Sequence, residues 1–342
     1  MIISGFKGRN ISEDAHIVKM IKDVKPGGLI LYRQNISNPE QVKKLISNLQ
    51  HYSPIPLFVV VDAEGGKLNR LKSRQGFFDI RSHRELGKIQ DYSVTKHEAL
   101  KLSQELKELG FNMNFAPVVD VDINPRNPII GALGRSFSSD PYQVALHAQA
   151  FIMAHRRNNI ITVAKHFPGH GSSRKDSHLW KADVTDTYQE EELIPYKLLQ
   201  EKGLLDAVMT AHIINRKIDK YSPATLSSNF LQDILRSQIG FHSVVVSDDM
   251  RMWAISRHYS FKDSLIKAIN AGCDIILVSN NSLLKPGRKL PYKIFNIIYQ
   301  AVRDGKISKQ RIIESSDRIY ELKKRFKIIQ SPERSRGAFC LH

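Results

Sequence analysis

The chain has little cysteine and no long apolar segment, and each absence excludes a class of protein. Two cysteines in 342 residues, Cys273 and Cys340, exclude a disulfide-stabilised scaffold and lack the spacing of a metal site. No stretch approaches the roughly 18 uninterrupted apolar residues of a transmembrane helix. The first residues show no basic segment followed by an apolar run and a cleavage site. We expect a cytoplasmic protein, or a periplasmic or exported one if an upstream segment precedes Met1.

Acidic residues are scarce relative to basic ones, since 34 Asp and Glu stand against 51 Lys and Arg, a formal charge of +17. A basic surface can bind nucleic acid by releasing counterions from phosphates. However, the basic residues are spread along the chain, without a helix-turn-helix, zinc-finger or aromatic RNA-binding motif. We therefore expect no nucleic-acid partner. A solvated basic surface and attraction of an acidic small substrate both stay open as explanations.

Short apolar runs alternate with segments that carry apolar residues at helical spacing. The eight runs are residues 2–3, 28–32, 57–61, 112–119, 160–164, 207–210, 243–246 and 274–278. Strands that alternate with helices pair in parallel through right-handed crossovers, and eight such units predict a single α/β domain, a (β/α)8 TIM-type barrel. The alternative is an open doubly wound sheet, but no Gly-x-Gly-x-x-Gly turn follows the first strand.

The C-terminal part of the chain predicts a helix that closes this barrel. Residues 307–329 form an amphipathic pattern whose apolar positions are Ile312, Ile313, Ile319, Leu322 and Phe326. No linker rich in Pro, Gly or Ser divides the chain. We therefore predict one domain over residues 1–329, followed by a short, basic, flexible tail at residues 330–342.

Polar side chains follow five of the predicted strands. They are Asp62, Asp120, the pair Lys165–His166, His212 and the pair Asp248–Asp249. In a barrel, the C-terminal ends of all strands meet at one rim, where the active sites of this fold lie. A single aspartate at a strand end is usually a helix cap or a loop acceptor. Five polar strand ends at one rim predict an active site.

The densest motif is Lys-His-Phe-Pro-Gly-His-Gly-Ser-Ser-Arg-Lys-Asp-Ser-His at residues 165–178. Its proline and glycines indicate an irregular loop that leaves a strand. Asp176 and His178 are two residues apart, so the carboxylate can orient the imidazole and raise its basicity. An imidazole of this kind can donate and accept a proton near neutral pH.

The same motif also permits a metal site, because His166, His170, Asp176 and His178 could bind zinc. The spacing matches no common zinc pattern, and Lys165 would repel a cation. We expect acid–base chemistry or substrate binding here, with metal binding and structural histidines as the alternatives.

A second motif, Val-Val-Val-Ser-Asp-Asp-Met, occupies residues 244–250. Successive side chains of an extended backbone point in opposite directions, so Asp248 and Asp249 cannot both face the barrel mouth. We expect one to face it and the other to support a loop or cap a helix. A strand that ends in aspartate suits a nucleophile or a metal ligand.

These motifs resemble those of glycoside hydrolase family 3, in its single-domain bacterial β-N-acetylglucosaminidase branch. The family pattern Lys-His-[Phe/Ile]-Pro-Gly-x-Gly-x4-Asp-[Ser/Thr]-His is met in full at residues 165–178, and its Ser-Asp-Asp segment matches residues 247–249. Further matching blocks are residues 61–66, 69–70, 114–120, 134–138, 209–212, 223–227 and 240–241. The resemblance spans about residues 3–329.

The resemblance implies a role for each matching residue. Asp248 is implied as the nucleophile that forms a covalent glycosyl-enzyme, and His178 as the general acid/base, with Asp176 completing a His–Asp dyad. A retaining glycosidase ordinarily uses two carboxylates for these roles. The residues implied to hold the non-reducing N-acetylglucosamine are Asp62, Arg70, Arg135, Lys165 and His166. No metal and no cofactor is implied.

The resemblance further implies an exo-acting, retaining β-N-acetylglucosaminidase of cell-wall recycling. Its carbohydrate substrate would be a muropeptide or chitooligosaccharide with β-1,4-linked N-acetylglucosamine, and we expect a monomer. One alternative is a β-glucosidase or β-xylosidase of the same family, which usually has a second domain and lacks the Asp-Ser-His loop. Another is a glycosyl phosphorylase, because a histidine acid/base tolerates phosphate. A catalytically silent sugar-binding protein is disfavoured, since every site position is intact.

Overall fold

Eight parallel strands form the centre of the molecule in the computed structural model, which describes residues 1–12, 15–174, 182–280 and 287–329. They are β1 (Ile2–Gly5), β2 (Gly28–Leu31), β3 (Phe58–Val61), β4 (Met113–Asn114), β5 (Ile161–Phe167), β7 (Ala207–Thr210), β9 (Val244–Val246) and β10 (Ile276–Val278). From β1 to β9 each pairs with the next in this order, and β10 pairs with β1. The bridge between Val246 and Ile275 joins the last two strands. The predicted (β/α)8 barrel is confirmed.

Two shorter strands, β6 (Ala182–Asp183) and β8 (Ile213–Ile214), form a separate parallel pair that the sequence did not predict. The helices surround the barrel. They are α1 (His16–Val24), α2 (Pro39–His51), α3 (His83–Ile89), α4 (Tyr92–Leu109), α5 (Pro141–Arg157), α6 (Ile194–Glu201), α7 (Trp253–Ser256), α8 (Phe261–Ala271), α9 (Leu290–Arg303), α10 (Lys309–Arg325) and a π-helix (Asn229–Gln238). In the described ranges, no helix combines the length and apolarity needed to cross a membrane.

Local sequence explains where the helices begin and which face they bury. Helix α2 starts after Asn38, whose side chain accepts a hydrogen bond from the Gln41 N–H, and it has Pro39 at its first position. Its buried residues Val42, Leu45, Ile46 and Leu49 repeat at helical spacing. In α3, Ser82 and Glu85 form a reciprocal capping box.

Alternate residues of each strand divide the core into two layers. In β3, Phe58 and Val60 belong to the cluster inside the barrel, whereas Val59 and Val61 pack against the surrounding helices. The inner cluster also contains Ile319 and Leu322 of α10 and Phe326 just after it, so this helix closes one end of the barrel as predicted. The predicted burial of Ile313 is wrong, because that side chain is 51% exposed.

Helix α10 is fixed by ion pairs at the N-terminal ends of the strands. Asp274, just before β10, accepts hydrogen bonds from Arg311 (3.1 Å), Ser315 (2.8 Å) and Arg318 (3.0 Å). Arg325 reaches the buried Asp206, just before β7, at 3.1 Å. The closing helix therefore lies at the end of the barrel opposite the C-terminal rim of the strands.

Two predicted strands differ from the observed ones by three residues or more at one end. The fourth, predicted over residues 112–119, is regular only in β4, because Pro117 has no N–H to donate to the ladder. Pairing continues irregularly beyond it, with a bridge between Val118 and Lys165. The fifth, predicted to end at residue 164, continues to Phe167 in β5. The predicted tail at residues 330–342 lies outside the described residues.

Candidate active site

The polar residues predicted to meet at the rim follow β3, β4, β7 and β9 or belong to β5. The prediction that Lys165 and His166 follow the fifth strand is wrong, because both lie within β5. The pairing of β5 with β7 shifts register between Lys165 and Phe167. Such a shift breaks the strict alternation of side chains. Both Lys165 and His166 contact the polar network described below.

Lys165 lies between two carboxylates. Its Nζ is 3.0 Å from Asp62 Oδ1 and 2.6 Å from Glu64 Oε1. The side chains of Lys165 and Glu64 are buried, whereas Asp62 is half-buried. Arg70 completes the group, with its Nε 3.7 Å from Asp62 Oδ2 and its backbone N–H donating to the Asp62 carbonyl. The structure thus brings Asp62, Arg70 and Lys165 together, as predicted.

Glu64 connects Lys165 to Arg135. Arg135 donates two hydrogen bonds of 2.8 Å to the two carboxylate oxygens of Glu64. Burial acts to raise the pKa of Glu64, but the charges of Arg135 and Lys165 outweigh it and hold that pKa well below its usual value. Glu64 was not predicted as a site residue. One feature of the sequence could have indicated it, namely its position two residues after the predicted site residue Asp62.

His166 links Arg135 to Asp120. Arg135 Nη2 lies 3.2 Å from His166 Nε2, and Arg135 can only donate, so Nε2 is the acceptor. The proton is therefore on Nδ1, which donates to Asp120 Oδ2 at 2.7 Å. The other oxygen of Asp120 accepts from the backbone N–H groups of His166 (3.2 Å) and His170 (2.8 Å). His166 is held as the neutral Nδ1–H tautomer.

Asp120 is a buried carboxylate that the sequence analysis placed at a strand end without a role. Burial acts to raise its pKa, but its interactions with His166 and His170 outweigh this effect and leave the pKa below the ordinary value. Asp120 therefore stays ionised and fixes both histidines. Together with the preceding contacts, it completes a continuous polar chain. In order, the chain is Arg70, Asp62, Lys165, Glu64, Arg135, His166 and Asp120.

Asp248 and Asp249, after β9, have different environments. Asp249 Oδ1 accepts hydrogen bonds from the backbone N–H groups of Arg251 (3.1 Å) and Ser279 (3.2 Å), and burial raises the pKa of Asp249. Its carboxylate thus ties two loops together, which is the supporting role expected of one of the pair. Asp248 Oδ1 accepts from the N–H of Asp249 at 2.7 Å, and the Asp248 N–H lies 3.3 Å from Thr210 Oγ1.

Tyr32, immediately after β2, interacts electrostatically with Asp62 and with the pair Asp248 and Asp249. Burial, followed by the negative charges of Asp249 and Asp62, raises the pKa of Tyr32 well above its usual value, and Asp248 adds to the effect. The guanidinium of Arg70 lies 5.8 Å from the centre of the Tyr32 ring. The charges of Asp62 and Asp248 thus act on the same phenol. Tyr32 was not predicted as a site residue, because it ends an apolar run.

His212 supports this arrangement from the end of β7. Its Nε2 lies 3.0 Å from the backbone carbonyl of Asp249, which can only accept, so Nε2 carries a proton. Its Nδ1 lies 2.8 Å from Thr225 Oγ1. His212 thus fixes the peptide between Asp249 and Met250, one residue beyond Asp248.

Asp176 and His178 lie outside the described residues, within 175–181, so the predicted His–Asp dyad stays a prediction. Among the described residues, no three His, Cys, Asp or Glu side chains are placed to hold a metal ion. The described part of the site offers carboxylate acceptors and guanidinium and ammonium donors at one rim. Such groups are suited to the hydroxyl and amide groups of a sugar.

Comparisons with known proteins agree with this chemistry. The family profile described as "Glycosyl hydrolase family 3 N terminal domain" matches residues 6–322. A beta-hexosaminidase of Nitrosomonas eutropha is 35% identical over 264 residues, covering 75% of this chain and 74% of that protein. A beta-hexosaminidase of Haemophilus influenzae is 33% identical over 288 residues, covering 82% and 79%.

Solved structures are similar over nearly the whole chain. A glycoside hydrolase family 3 beta-N-acetylglucosaminidase from Paenibacillus sp. has a TM-score of 0.88 and 34% identity, covering 98% of this chain and 63% of that one. A beta-N-acetylhexosaminidase from Beutenbergia cavernae has a TM-score of 0.85 and 26% identity, covering 94% of this chain and 96% of that one. The chain thus spans less than two thirds of the first of these relatives and nearly all of the second.

Proposed function

The chain belongs to glycosyl hydrolase family 3, and from this premise we propose that it is an exo-acting, retaining β-N-acetylglucosaminidase. The substrate would be a cell-wall fragment with a non-reducing N-acetylglucosamine in β-1,4 linkage. The observation that carries the proposal is the continuous chain of polar contacts from Arg70 to Asp120, which can hold a sugar at the end of the barrel where Asp248 follows β9. The names of the relatives, beta-hexosaminidase and beta-N-acetylglucosaminidase, support the choice of sugar.

In this proposal, Asp248 is the nucleophile. Its carboxylate attacks the anomeric carbon, and the bond to the leaving oxygen breaks as an ester between the sugar and Asp248 forms. The hydrogen bond from the Asp249 N–H to Asp248 Oδ1 helps to orient the carboxylate. His212 and the loop contacts of Asp249 hold the adjoining peptide in place.

His178 is proposed as the group that moves the protons, with Asp176 as its partner. It would protonate the glycosidic oxygen as that oxygen leaves, and then accept a proton from the water that hydrolyses the ester. A single group can do both because the first step leaves it deprotonated.

The balance of charge in the polar chain favours a neutral sugar over an anion. The chain has three carboxylates and three cations, and His166 is neutral. These groups are Asp62, Glu64, Asp120, Arg70, Arg135 and Lys165. Each of the three cations lies within 4 Å of a carboxylate, so their charges are balanced and the chain offers no net positive charge to phosphate. This pairing favours a hydrolase over a phosphorylase.

We further propose that residues 1–329 are the catalytic domain, that the protein acts as a monomer, and that its substrates are soluble fragments released during cell-wall recycling in the cytoplasm. The carboxylates of muropeptides are compatible with the +17 charge of the chain. Cell fractionation would test the compartment, and light scattering of the purified protein would test the oligomeric state.

The decisive experiment compares substrates that differ only in the sugar. Nitrophenyl N-acetyl-β-glucosaminide should be cleaved far faster than the matching glucoside or xyloside, with Asp248→Asn as the background control. Adding phosphate should yield no sugar-1-phosphate. A preference for the glucoside, or phosphate-dependent formation of sugar-1-phosphate, would contradict the proposal. Product analysis with an anhydro-disaccharide of the cell wall and with chitobiose would then identify the preferred leaving-group sugar.

A further inference from the structure

Glu192 is a buried carboxyl group beside the proposed site. It is the third of three consecutive glutamates in a 3-10 turn (Glu190–Leu193) that leads into α6. Glu190 and Glu191 are exposed, whereas Glu192 has no exposed surface. Burying a carboxyl group costs free energy unless hydrogen bonds replace its contacts with water. The position of Glu192 is therefore one where packing alone would favour an apolar residue.

Glu192 packs directly against the loop that follows β5. Its Oε2 accepts a hydrogen bond of 2.8 Å from the Gly171 N–H. Gly169 has a φ of +126°, and a Cβ at that position would lie 2.5 Å from the Cβ of Glu192. A side chain at residue 169 would thus clash with Glu192, which explains why the loop has glycine there.

The same loop is held from its other side by Asp120. Asp120 Oδ1 accepts from the His170 N–H at 2.8 Å, so Asp120 and Glu192 bind the amides of two successive residues. Asp120 also orients His166, which contacts Arg135. In the sequence, residues 169–172 precede Asp176 and His178, which are proposed for proton transfer. We propose that Glu192 is a positioning residue for hydrolysis, which fixes the backbone of residues 169–172 and thereby the Asp120–His166 pair.

The surroundings of Glu192 indicate that it acts as a neutral acid. Within the described ranges, no cation lies at ion-pair distance from it. The titratable groups that interact with it are Asp120, Tyr188 and Tyr196. Burial, followed by the charge of Asp120, raises the pKa of Glu192 to about 8, and the hydrogen bond from the Gly171 N–H offsets only part of this. Glutamine should therefore replace this glutamate well at neutral pH.

Three variants test the proposal. Glu192→Ala removes the contact, Glu192→Gln keeps a neutral acceptor of the same shape, and Glu191→Gln makes the same chemical change at the exposed neighbour. At pH about 7, we expect Glu192→Ala to lower kcat about 10- to 100-fold, since small misplacements of catalytic groups have effects of this size. Glu192→Gln and Glu191→Gln should both stay within about twofold of wild type.

The second measurement is amide hydrogen exchange of residues 168–173, followed by mass spectrometry and corrected for the intrinsic effect of pH. The loop of wild type should lose protection as the pH rises from about 5 to about 8 and change little above that, because opening the loop lets the buried Glu192 ionise in water. The loop of Glu192→Gln should stay protected. A purely structural role would not produce this difference, and the comparison remains valid even if Glu192→Ala fails to fold.

Two results would overturn the proposal: unchanged activity and loop protection in Glu192→Ala, or a folded Glu192→Gln that is as impaired as Glu192→Ala. The proposal rests on the proposed hydrolysis, but the exchange measurement needs no substrate. If wild type releases no N-acetylglucosamine, the proposed function fails. The loop protection would still decide whether Glu192 positions residues 169–172.

Discussion

The guanidinium of Arg135 donates two parallel hydrogen bonds of 2.8 Å to the carboxylate of Glu64, and both side chains are buried. Lys165 approaches the same carboxylate to 2.6 Å. Glu64 thus pairs with two buried cations, of which Lys165 also pairs with Asp62, and both cations are proposed to bind the sugar. Removing one partner of a buried ion pair leaves an uncompensated charge, which is far more costly than losing a surface pair.

We therefore predict that Glu64→Gln lowers the free energy of unfolding by about 3–5 kcal/mol. The measurement is urea denaturation near neutral pH. A matched control is Glu314→Gln, because Glu314 is 42% exposed and only 3.9 Å from Arg311. That change should cost at most about 1 kcal/mol. Equal effects of the two substitutions would contradict the importance of the buried pair.

The pH dependence of this difference follows from the sign of the shift. The pKa of Glu64 is well below its usual value in the folded protein, so its contribution is fully present above the unfolded value of about 4.3. It should be lost as the pH falls through the folded pKa. The stability difference between wild type and Glu64→Gln should therefore shrink on acidification and stay constant between pH about 6 and 8.

The barrel could be predicted because its strands are buried on both faces. Such strands are short, continuous apolar runs, and all eight central strands were predicted near their observed positions. The meeting of Asp62 with Lys165 also followed from the fold, since the C-terminal ends of parallel strands share one rim. The register shift in β5 could not be predicted, because it depends on pairing with β7.

The residues that sequence patterns missed are those whose environment is set by distant parts of the chain. Tyr32 ends an apolar run and resembles an ordinary core residue, yet it lies among the site carboxylates. Glu192 belongs to a run of three glutamates that resembles a solvated surface. Only the packing of the loop after β5 distinguishes the buried glutamate from its exposed neighbours.

A second prediction concerns the nucleophile. Asp248→Asn should lower turnover by more than about 10³-fold, because a neutral amide cannot form the glycosyl ester. A slow fluorinated sugar substrate should leave a covalent adduct on Asp248 of wild type, which peptide mass spectrometry would locate. Asp249→Asn is the control: it weakens a loop contact and should keep an adduct on Asp248. An adduct on Asp249 or Asp120 would contradict the assignment.

A third prediction concerns metal. If hydrolysis proceeds by proton transfer and a covalent ester, exhaustive chelation should leave activity unchanged, and added zinc should not raise it. The activity of wild type after EDTA treatment and desalting, together with metal analysis of the same sample, gives the answer. A loss that one divalent ion per chain restores would instead support metal-assisted hydrolysis.

The last prediction separates proton transfer by His178 from sugar binding. Protonation of the leaving oxygen matters most for a poor leaving group such as a sugar hydroxyl, and little for a nitrophenolate. His178→Ala should therefore lower kcat on a natural disaccharide far more than it slows formation of the glycosyl-enzyme from an activated substrate. The glycosyl-enzyme should then accumulate, because its hydrolysis needs the same residue as a base.

Azide provides the test of the second step, because this anion attacks without first losing a proton. It should restore turnover of His178→Ala on the activated substrate and give a β-glycosyl azide, whereas wild type should gain little. Asp176→Ala should show a milder form of the same pattern, since a carboxylate partner only orients and charges the imidazole. If His178→Ala instead raises KM equally for both substrates and leaves kcat unchanged, the residue binds the sugar and moves no proton.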